Sequence, residues 1–306
     1  MNVSLVICTY NRAESLRVTL GSLADLRVPP DLQWEVLVVD NNSSDNTRDV
    51  VDAAASRVPC RYLFEARQGK SFALNAAVAQ AGGEVIAFTD DDVTMHPDWL
   101  ACLWRAFSNH DCAGVGGRIL AVWNQPKPRW YGESGPYRLM PGVLVRYDHG
   151  DAVKEVDMLP FGANMAFRRA VFTKYGPFNT DLGPVGYRLA VGEDSEFCKR
   201  IRDGGEVILY VPDAIIYHPV VPARARKQYF QSWYYRYGKW DVRREPPPRE
   251  GTRWFGIPRW LFRRLASETF RWLTTTEPRK RFFHKASCYF VMGAMVECYR
   301  LAHRTA

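Results

Sequence analysis

One apolar stretch that ends in three acidic residues decides the fold class of this chain: Val85-Ile86-Ala87-Phe88-Thr89-Asp90-Asp91-Asp92. Its first five residues are typical of a buried β-strand. Adjacent carboxylates at the end of such a strand repel one another, so cations or hydrogen-bond donors are expected beside them. A divalent metal that bridges a phosphate is the obvious occupant. Alternatively, the aspartates form a solvated acidic turn that caps the next helix, with Pro97 at its first position.

Strands and helices alternate regularly over residues 1–120. The hydrophobic pattern predicts strands at 4–8, 34–39, 61–64 and 85–89, and helices at 13–26, 47–56, 70–81 and 97–108. Continuous apolar strands separated by amphipathic helices indicate βαβ units. The chain is therefore predicted to adopt a Rossmann-like α/β fold, with a mixed, mostly parallel sheet covered by helices on both faces.

Polar clusters follow three of the predicted strands. They are Thr9-Tyr10-Asn11-Arg12, Asp40-Asn41-Asn42-Ser43-Ser44-Asp45 and Asp90-Asp91-Asp92. Ligands of parallel sheets bind beyond the carboxyl ends of the strands, so the clusters are expected to converge on one crevice.

Several residues in and near these clusters suit a nucleotide. Asp40 is able to accept a hydrogen bond from the N3–H of a base, and Tyr10 offers a stacking or hydroxyl contact. Alternatively, Asp40 forms an Asx turn or caps the helix that begins at Thr47. Arg67 and Lys70 either reach the phosphates or are merely solvated at the start of a helix.

Two familiar nucleotide motifs are incomplete. Gly69-Lys70-Ser71 resembles the end of a P-loop, but Phe64 stands where that loop requires glycine. Gly114, Gly116 and Gly117 lack the last glycine of a dinucleotide fingerprint, because Ile119 occupies its place. The sequence therefore supports neither a P-loop NTPase nor a nicotinamide enzyme.

Composition indicates a globular enzyme with a basic bias. The 306 residues are 47% hydrophobic, enough for one large core with or without a subdomain, and 41 basic against 33 acidic residues give a net charge of +8. The seven cysteines are scattered without a CxxC pair, which favours a reduced, cytoplasmic protein. Neither a signal peptide nor a membrane-spanning segment is predicted.

The last third of the chain combines basic and aromatic residues. In residues 228–240, Trp233 is suited to stack on a sugar and Arg236 to bind a diphosphate; alternatively, this segment is a helix packed on the sheet. A proline-rich hinge at 246–248 precedes two amphipathic, basic helices. These helices are predicted to lie on an anionic membrane surface, or else to form a hairpin on the catalytic domain or a dimer contact.

The ordered set of motifs resembles the family 2 glycosyltransferases with a GT-A fold, over roughly residues 3–240. The motifs are Cys8-Thr9-Tyr10-Asn11-Arg12, Val39-Asp40-Asn41-Asn42-Ser43-Ser44-Asp45, Arg67-Gln68-Gly69-Lys70 with Asn75, Asp90-x-Asp92, Gly162-Ala163-Asn164-Met165, Gly192-Glu193-Asp194 and His218. The resemblance implies a nucleotide-sugar donor and inversion at the anomeric carbon. A UDP-sugar is favoured, with GDP- and dTDP-sugars left open.

The resemblance also implies a role for each site residue. Asp90 makes ribose or metal-linked contacts, Asp91 belongs to the nucleotide site, and Asp92 binds Mn²⁺ or Mg²⁺, which is a Lewis acid for the departing diphosphate. His218, placed after a strand that ends near residue 211, either completes the metal site or is structural. The nucleotide site further includes Thr9 and Arg12.

The second acidic cluster supplies the base that an inverting displacement requires. Asp194 is assigned as this base and Glu193 as a group that positions the acceptor or a loop. Alternatively, Glu193, Asp194 and Glu196 only complement the dipole of a helix that runs to about residue 202. The loop Gly162-Ala163-Asn164 is expected to bring backbone amides to the donor sugar, because glycine permits close approach.

The sequence therefore predicts a metal-dependent inverting glycosyltransferase for a glycan or lipid-linked acceptor. Residues 1–245 form the catalytic domain, with a nucleotide-binding half at 1–120 and an acceptor half at 121–245, and 246–306 form the hinge and tail. Nucleic acid is not expected as a partner, and the tail is expected to contact the inner face of a cell membrane. The oligomeric state stays open. A sugar-phosphate nucleotidyltransferase would carry a glycine-rich basic loop after the first strand, and a silent nucleotide-sugar binder would lack Asp92 or Asp194.

Overall fold

The chain divides into two compact units. The structure is a computed structural model that describes residues 2–156, 158–185, 192–248 and 250–303. Unit 1 comprises Met1–Val122 and Val145–Pro219, and unit 2 comprises Trp123–Leu144 and Val220–Ala306.

Unit 1 contains the predicted α/β sheet. Its elements are β1 (Val3–Thr9), α1 (Ala13–Leu23), β2 (Trp34–Asp40), α2 (Thr47–Ala54), β3 (Cys60–Phe64), α3 (Lys70–Gln80), β4 (Val85–Asp90), β5 (Thr94–Met95), α4 (Trp99–Asn109), β6 (Gly114–Trp123), β7 (Lys154–Glu155), β8 (Asn164–Arg168), α5 (Ala170–Tyr175), α6 (Glu193–Asp203) and β9 (Ile208–Val220). Every strand and helix predicted between residues 1 and 120 is present, with ends shifted by at most three residues.

The sheet is mixed. Among the described residues its strand order is β3-β2-β1-β4-β8-β6-β9-β5, and β7 pairs with β9. The strands β3, β2, β1 and β4 run parallel, whereas β8 is antiparallel to both β4 and β6. The parallel half is apolar on both faces because helices cover it, and Leu5, Val6 and Ile7 of β1 are fully buried. The predicted fold class is confirmed.

Two local predictions are wrong. Pro97 does not start a helix, because β5 follows the aspartates and α4 begins at Trp99 with Asp98 at its N-cap. His218 does not follow a strand that ends near residue 211, because β9 continues to Val220. β9 passes through Pro212, although proline cannot donate to a sheet ladder.

The side chain of Asn164 holds three strands and a helix together. Its amide nitrogen donates to the carbonyl oxygens of Arg118 on β6 (2.9 Å) and Ala214 on β9 (2.8 Å). Its amide oxygen accepts from the Trp99 indole N–H on α4 at 2.9 Å. Since Asn164 is fully buried at the start of β8, its polar atoms are all used inside the core. The side chain of Asn164 therefore serves the core, and the donor-sugar contact predicted for this residue stays a prediction.

Unit 2 is mainly helical. Its elements are a 3-10 helix (Pro141–Leu144), α7 (Lys227–Arg244), β10 (Arg253–Trp254), β11 (Ile257–Pro258), α8 (Arg259–Thr274) and α9 (Pro278–Ala302). Helix α9 packs along α7 and also contacts α8. The boundary between the units therefore precedes α7 and does not coincide with the domain boundary predicted at 245–246. In the described ranges, no helix is both long enough and apolar enough to cross a membrane.

Two glycines bring α7 and α9 into backbone contact. A Cβ atom added to Gly238 on α7 would lie 2.1 Å from the carbonyl oxygen of Phe290, and one added to Gly293 on α9 would lie 2.0 Å from that of Tyr235. Both distances are far below van der Waals contact. Any larger residue at either position would force the two helices apart.

A buried ion pair also joins these helices. Glu297 of α9 is fully buried and accepts hydrogen bonds from Arg243 of α7 at 2.7 and 3.0 Å, and its Oε1 also lies 2.7 Å from Arg300. Burial opposes the negative charge, but the two arginines outweigh it and lower the pKa of Glu297. The tail is thus joined to α7 by both packing and charge.

We expect Gly293→Ala to lower the free energy of unfolding by about 1–3 kcal/mol, the usual cost of overpacking. The matched control is Gly21→Ala in α1, where an added Cβ meets nothing within 4 Å. That control should raise stability by about 0.5–1 kcal/mol, because alanine is the better helix former. Denaturant unfolding of both variants measures the difference, and equal stability would contradict the close helix contact.

We also expect Asn164→Ala to destabilise unit 1 by at least about 2 kcal/mol, because it leaves the Trp99 N–H and two carbonyl groups buried without partners. Asn109→Ala, at an exposed position at the end of α4, is the control and should change little. The measurement is thermal unfolding together with donor KM. An increased KM for the donor at unchanged stability would indicate that Asn164 contacts the donor.

Candidate active site

The polar clusters of the sequence meet at one edge of the parallel sheet. In the strand register, Thr9 at the end of β1 pairs with Asp40 at the end of β2, and Cys8 pairs with Asp90 at the end of β4. Parallel strands that end at the same level present their following residues on a common edge. This confirms the predicted convergence.

Arg12 and Thr9 contact the aspartates. The Arg12 guanidinium lies 3.0 Å from both Asp91 and Asp92, and the Thr9 hydroxyl donates to Asp91 at 2.7 Å. Asp91 is buried, and burial raises its pKa to about 6 against the opposing charge of Arg12. The solvated acidic turn considered from the sequence is therefore wrong. Asp91 lies beneath the site and fixes Thr9 and Arg12.

Three side chains form a set of metal ligands. Asp90, Asp92 and the buried His218 each offer one ligand atom, and these atoms lie within 4.8 Å of one another. The Nε2 atom of His218 is 3.5 Å from Asp92 Oδ1. The short strand β5 brings His218 here, because it follows the aspartates directly and pairs with β9 at Tyr217. Two carboxylates and an imidazole fit a divalent cation such as Mn²⁺.

Lys70 connects this metal set to the second acidic cluster. Its Nζ lies 2.8 Å from Asp90 and 3.9 Å from Glu193. Burial opposes the charge on Lys70, but Asp90 and Glu193 outweigh it and raise the lysine pKa well above its usual range. Burial likewise opposes the charge on Asp90, but Lys70 lowers the pKa of Asp90 below its usual value. Lys70 is therefore a cation held between Asp90 and Glu193, and not a solvated residue at the start of a helix.

Glu193 and Asp194 begin helix α6 and face the same region. Burial raises the pKa of Glu193 to about 7, and the neighbouring Asp194 adds to this effect. Asp194 Oδ2 accepts from the backbone N–H of Gly162 at 2.9 Å, and its Oδ1 accepts from the N–H of Ser195 at 2.7 Å. Glu196 is instead paired with Arg200 one turn along the helix.

The Gly162 loop is used inside the protein. The amide of Gly162 is bound to Asp194, and the carbonyl of Ala163 accepts from the Thr89 hydroxyl at 2.8 Å. The role predicted for this loop was to present backbone amides to the donor sugar. Its observed contacts orient the carboxylate of Asp194 and the end of β4, and the contact with the donor sugar stays a prediction.

Asp40 is buried with both of its oxygens engaged. It accepts from the Ser43 N–H at 2.8 Å, which is the Asx-type turn considered from the sequence, and from the Tyr62 hydroxyl at 2.7 Å. It does not cap α2, whose N-cap is Asn46. Burial and then Asp40 raise the pKa of Tyr62 to about 12. Tyr10 lies half-buried just beyond β1, and the contacts of Asp40 and Tyr10 with a base stay predictions.

Sequence reasoning missed three of these residues, namely Tyr62, Asn41 and Glu65. Asn41 donates to the carbonyls of Glu65 (3.2 Å) and Arg67 (2.7 Å) and accepts from the N–H of Gly69 (2.7 Å), so it shapes the loop before α3. Glu65 binds Arg67 through two hydrogen bonds of 2.9 Å. A phosphate would have to compete with Glu65 for Arg67. The register pairs Asp40 with Phe64 and Val38 with Tyr62, so the predicted strands alone did not point to the Tyr62 hydroxyl.

Two predicted donor or acceptor residues lie in unit 2. Trp233 stacks on Tyr237 with ring centroids 4.9 Å apart, and Arg236 contacts Ser232 one turn earlier on α7. The helix considered from the sequence for this segment is present, but it packs on α9. The ligand contacts of Trp233 and Arg236 stay predictions.

The chain is similar to several known proteins. It is 30% identical over 246 residues to the glucosyl-dolichyl phosphate glucuronosyltransferase of Haloferax volcanii. The aligned region covers 78% of this chain and 76% of that relative. It is 28% identical to the succinoglycan biosynthesis protein ExoM of Rhizobium meliloti, over 78% of this chain and 74% of that protein.

A solved structure shows the same fold. The mannosyltransferase PcManGT of Pyrobaculum calidifontis, in complex with GDP-Man and Mn²⁺, matches with a TM-score of 0.57 at 20% identity, over 100% of this chain and 76% of that chain. This likeness identifies the GT-A fold. The model of "Glycosyl transferase family 2" matches residues 4–176, more than half of the chain. The chain is a glycosyltransferase, and it belongs to glycosyl transferase family 2.

Proposed function

We propose that this enzyme transfers a sugar from a nucleotide-sugar to the hydroxyl of a lipid-linked or polysaccharide acceptor, with a divalent metal and with inversion. The observation that carries the proposal is the position of Lys70 between two carboxylate groups. On one side of Lys70, the ligand set of Asp90, Asp92 and His218 is suited to a metal ion. On the other side, Glu193 and Asp194 offer carboxylates that do not belong to this set. An inverting transfer needs both groups, one at each side of the anomeric carbon.

The donor would occupy the carboxyl edge of the parallel strands. Asp40 stands at the end of β2, where the N–H of a uracil or guanine would share a carboxylate oxygen with Ser43 or Tyr62. Asp90, Asp92 and His218 would hold Mn²⁺ or Mg²⁺, which neutralises charge on the departing diphosphate. Lys70 places a further positive charge 2.8 Å from Asp90, within reach of the same phosphates. Arg12 keeps Asp92 in position through its ion pair.

Asp194 would remove the acceptor proton. The acceptor oxygen forms a bond to the anomeric carbon from the face opposite the diphosphate, while the bond from that carbon to the diphosphate oxygen breaks. The proton of the hydroxyl moves to a carboxylate oxygen of Asp194, whose orientation the amides of Gly162 and Ser195 fix. Glu193, buried beside it, would position the acceptor or the neighbouring loop.

The acceptor class is supported by one relative. The Haloferax enzyme is named for a dolichyl phosphate acceptor. A lipid-linked acceptor is confined to a bilayer, so the enzyme would work at a membrane surface. This part of the proposal concerns the substrate, and it is tested separately from the chemistry.

We expect Asp92→Asn to abolish the metal-dependent part of nucleoside diphosphate binding and to leave the fold intact, because it removes one charged ligand from the metal set. The measurement is a thermal-shift panel of UDP, GDP and dTDP with Mn²⁺ or with EDTA, since a ligand that binds the folded state raises its apparent stability. Asp98→Asn, which changes a nearby half-buried carboxylate paired with Arg27, is the control. Equal nucleotide affinity with Mn²⁺ and with EDTA in the wild type would sink the metal assignment.

We expect Asp194→Asn to preserve donor binding but to lower kcat by roughly 10²–10⁴, the scale of general base catalysis. Glu196→Gln is the matched control, because it removes an acid from the same helical turn whose partner is Arg200. Single-turnover rates with a saturating donor separate binding from chemistry.

Two results would overturn the assignment of the base. Near-normal turnover in Asp194→Asn, together with inactivity in Glu193→Gln, would move the role to Glu193. A product whose anomeric configuration is retained, as read from its NMR coupling constants, would exclude the inverting reaction itself.

A further inference from the structure

The tip of the β10–β11 hairpin presents an aromatic ring in an unfavourable backbone conformation. Trp254 pairs with Ile257, so the loop consists of Phe255 and Gly256 alone. Their φ angles of 51° and 76° are those of a type I′ turn. Such a turn favours Asn-Gly, and a bulky residue at positive φ is an outlier. Phe255 is nevertheless 79% exposed. Packing therefore does not explain why the ring is there, and such strain points to a function.

Further apolar side chains are exposed on the hairpin and the adjoining helix α8. Trp254 and Trp260 are both about half exposed. Along α8 an exposed stripe recurs at intervals of four and three residues: Arg259, Arg263, Ala266, Phe270 and Leu273. Phe270 is 68% exposed. We call the hairpin tip, Trp254, Trp260 and this stripe the aromatic face of unit 2.

The charge of this segment is strongly positive. Residues 251–274 contain five arginines and one acid, Glu268. Glu268 is directed at the buried His284, 2.8 Å away, and so belongs to the packed side of α8. Arg259 lies over the Trp254 ring at 5.5 Å, which places charge and ring at the same spot. Aromatic and arginine side chains together are typical of surfaces that lie in the interface of a bilayer.

We propose that the aromatic face docks unit 2 on an anionic phospholipid bilayer, with Phe255 inserted among the acyl chains and Arg259 and Arg263 on the headgroups. A second copy of the chain fits less well. An isologous contact would bring two arginine-rich faces together, and like charges at an interface oppose association. The docking does not depend on the reaction proposed above, since it involves none of the site residues.

The decisive variant is Phe255→Asn. It creates the Asn-Gly pair that a type I′ turn favours, so thermal stability should stay equal or rise, while the inserted ring is lost. Binding to vesicles of phosphatidylcholine with phosphatidylglycerol should weaken roughly tenfold or more, the scale of burying one aromatic side chain. Phe64→Asn is the matched control, an exposed phenylalanine in unit 1, and should bind as the wild type does.

The arginines are tested by Arg259→Gln with Arg263→Gln. Each removed arginine should weaken binding to the anionic vesicles by roughly fivefold, from about 1 kcal/mol for each charge at the leaflet. Wild-type sedimentation with these vesicles should decrease at high salt and be absent with phosphatidylcholine alone.

Three outcomes would overturn the proposal. In the first, the full chain does not bind anionic vesicles. In the second, Phe255→Asn sediments with these vesicles as strongly as the wild type does. In the third, light scattering finds a wild-type dimer that Phe255→Asn dissociates while vesicle binding is unchanged, so the face joins two copies of the chain. Because nucleotide is absent from every measurement, failure here leaves the proposed reaction untouched.

Discussion

The charge balance at the end of β4 is the constraint on which the rest of the site depends. Three successive carboxylates there are compensated by Arg12, which follows β1, and by Lys70, which opens α3. The parallel pairing of β1 with β4 brings Arg12 to the aspartates. If the register slipped by one residue, these ion pairs would be lost and buried carboxylates would remain uncompensated, which is costly. The acidic site therefore also selects the arrangement of the strands.

The sequence was sufficient to predict the strands and helices of the parallel half and the edge of the sheet at which the polar clusters meet. Continuous apolar runs such as residues 85–89 and the helical periods between them are local signals, and strands that end level necessarily bring their following residues together. The grouping of Asp90, Asp92 and His218 was also predicted, although His218 was placed after a strand that ends near residue 211. It lies within β9, because the strand continues through a proline that usually ends one.

The remaining contacts join residues distant in sequence, and no local pattern encodes them. Asn164 was assigned to the sugar because its motif resembled a ligand loop, yet its amide links Trp99, Arg118 and Ala214. The domain boundary was drawn at the proline-rich segment, which is a local signal of a hinge. Helix α7 nevertheless belongs with the tail, since Gly238 and Gly293 allow a close backbone approach that only the three-dimensional packing reveals.

The three aspartates illustrate how one repeated residue acquires different environments. Strand β4 ends at Asp90 and the chain turns at Asp91 and Asp92, so the three side chains are not in equivalent positions. Asp90 and Asp92 offer atoms to the same metal set as His218. Asp91 is bound to Thr9 in the interior, and burial raises its pKa. The x in Asp-x-Asp is thus a structural position, so a third carboxylate there holds the ligand-bearing loop in place without joining the ligands.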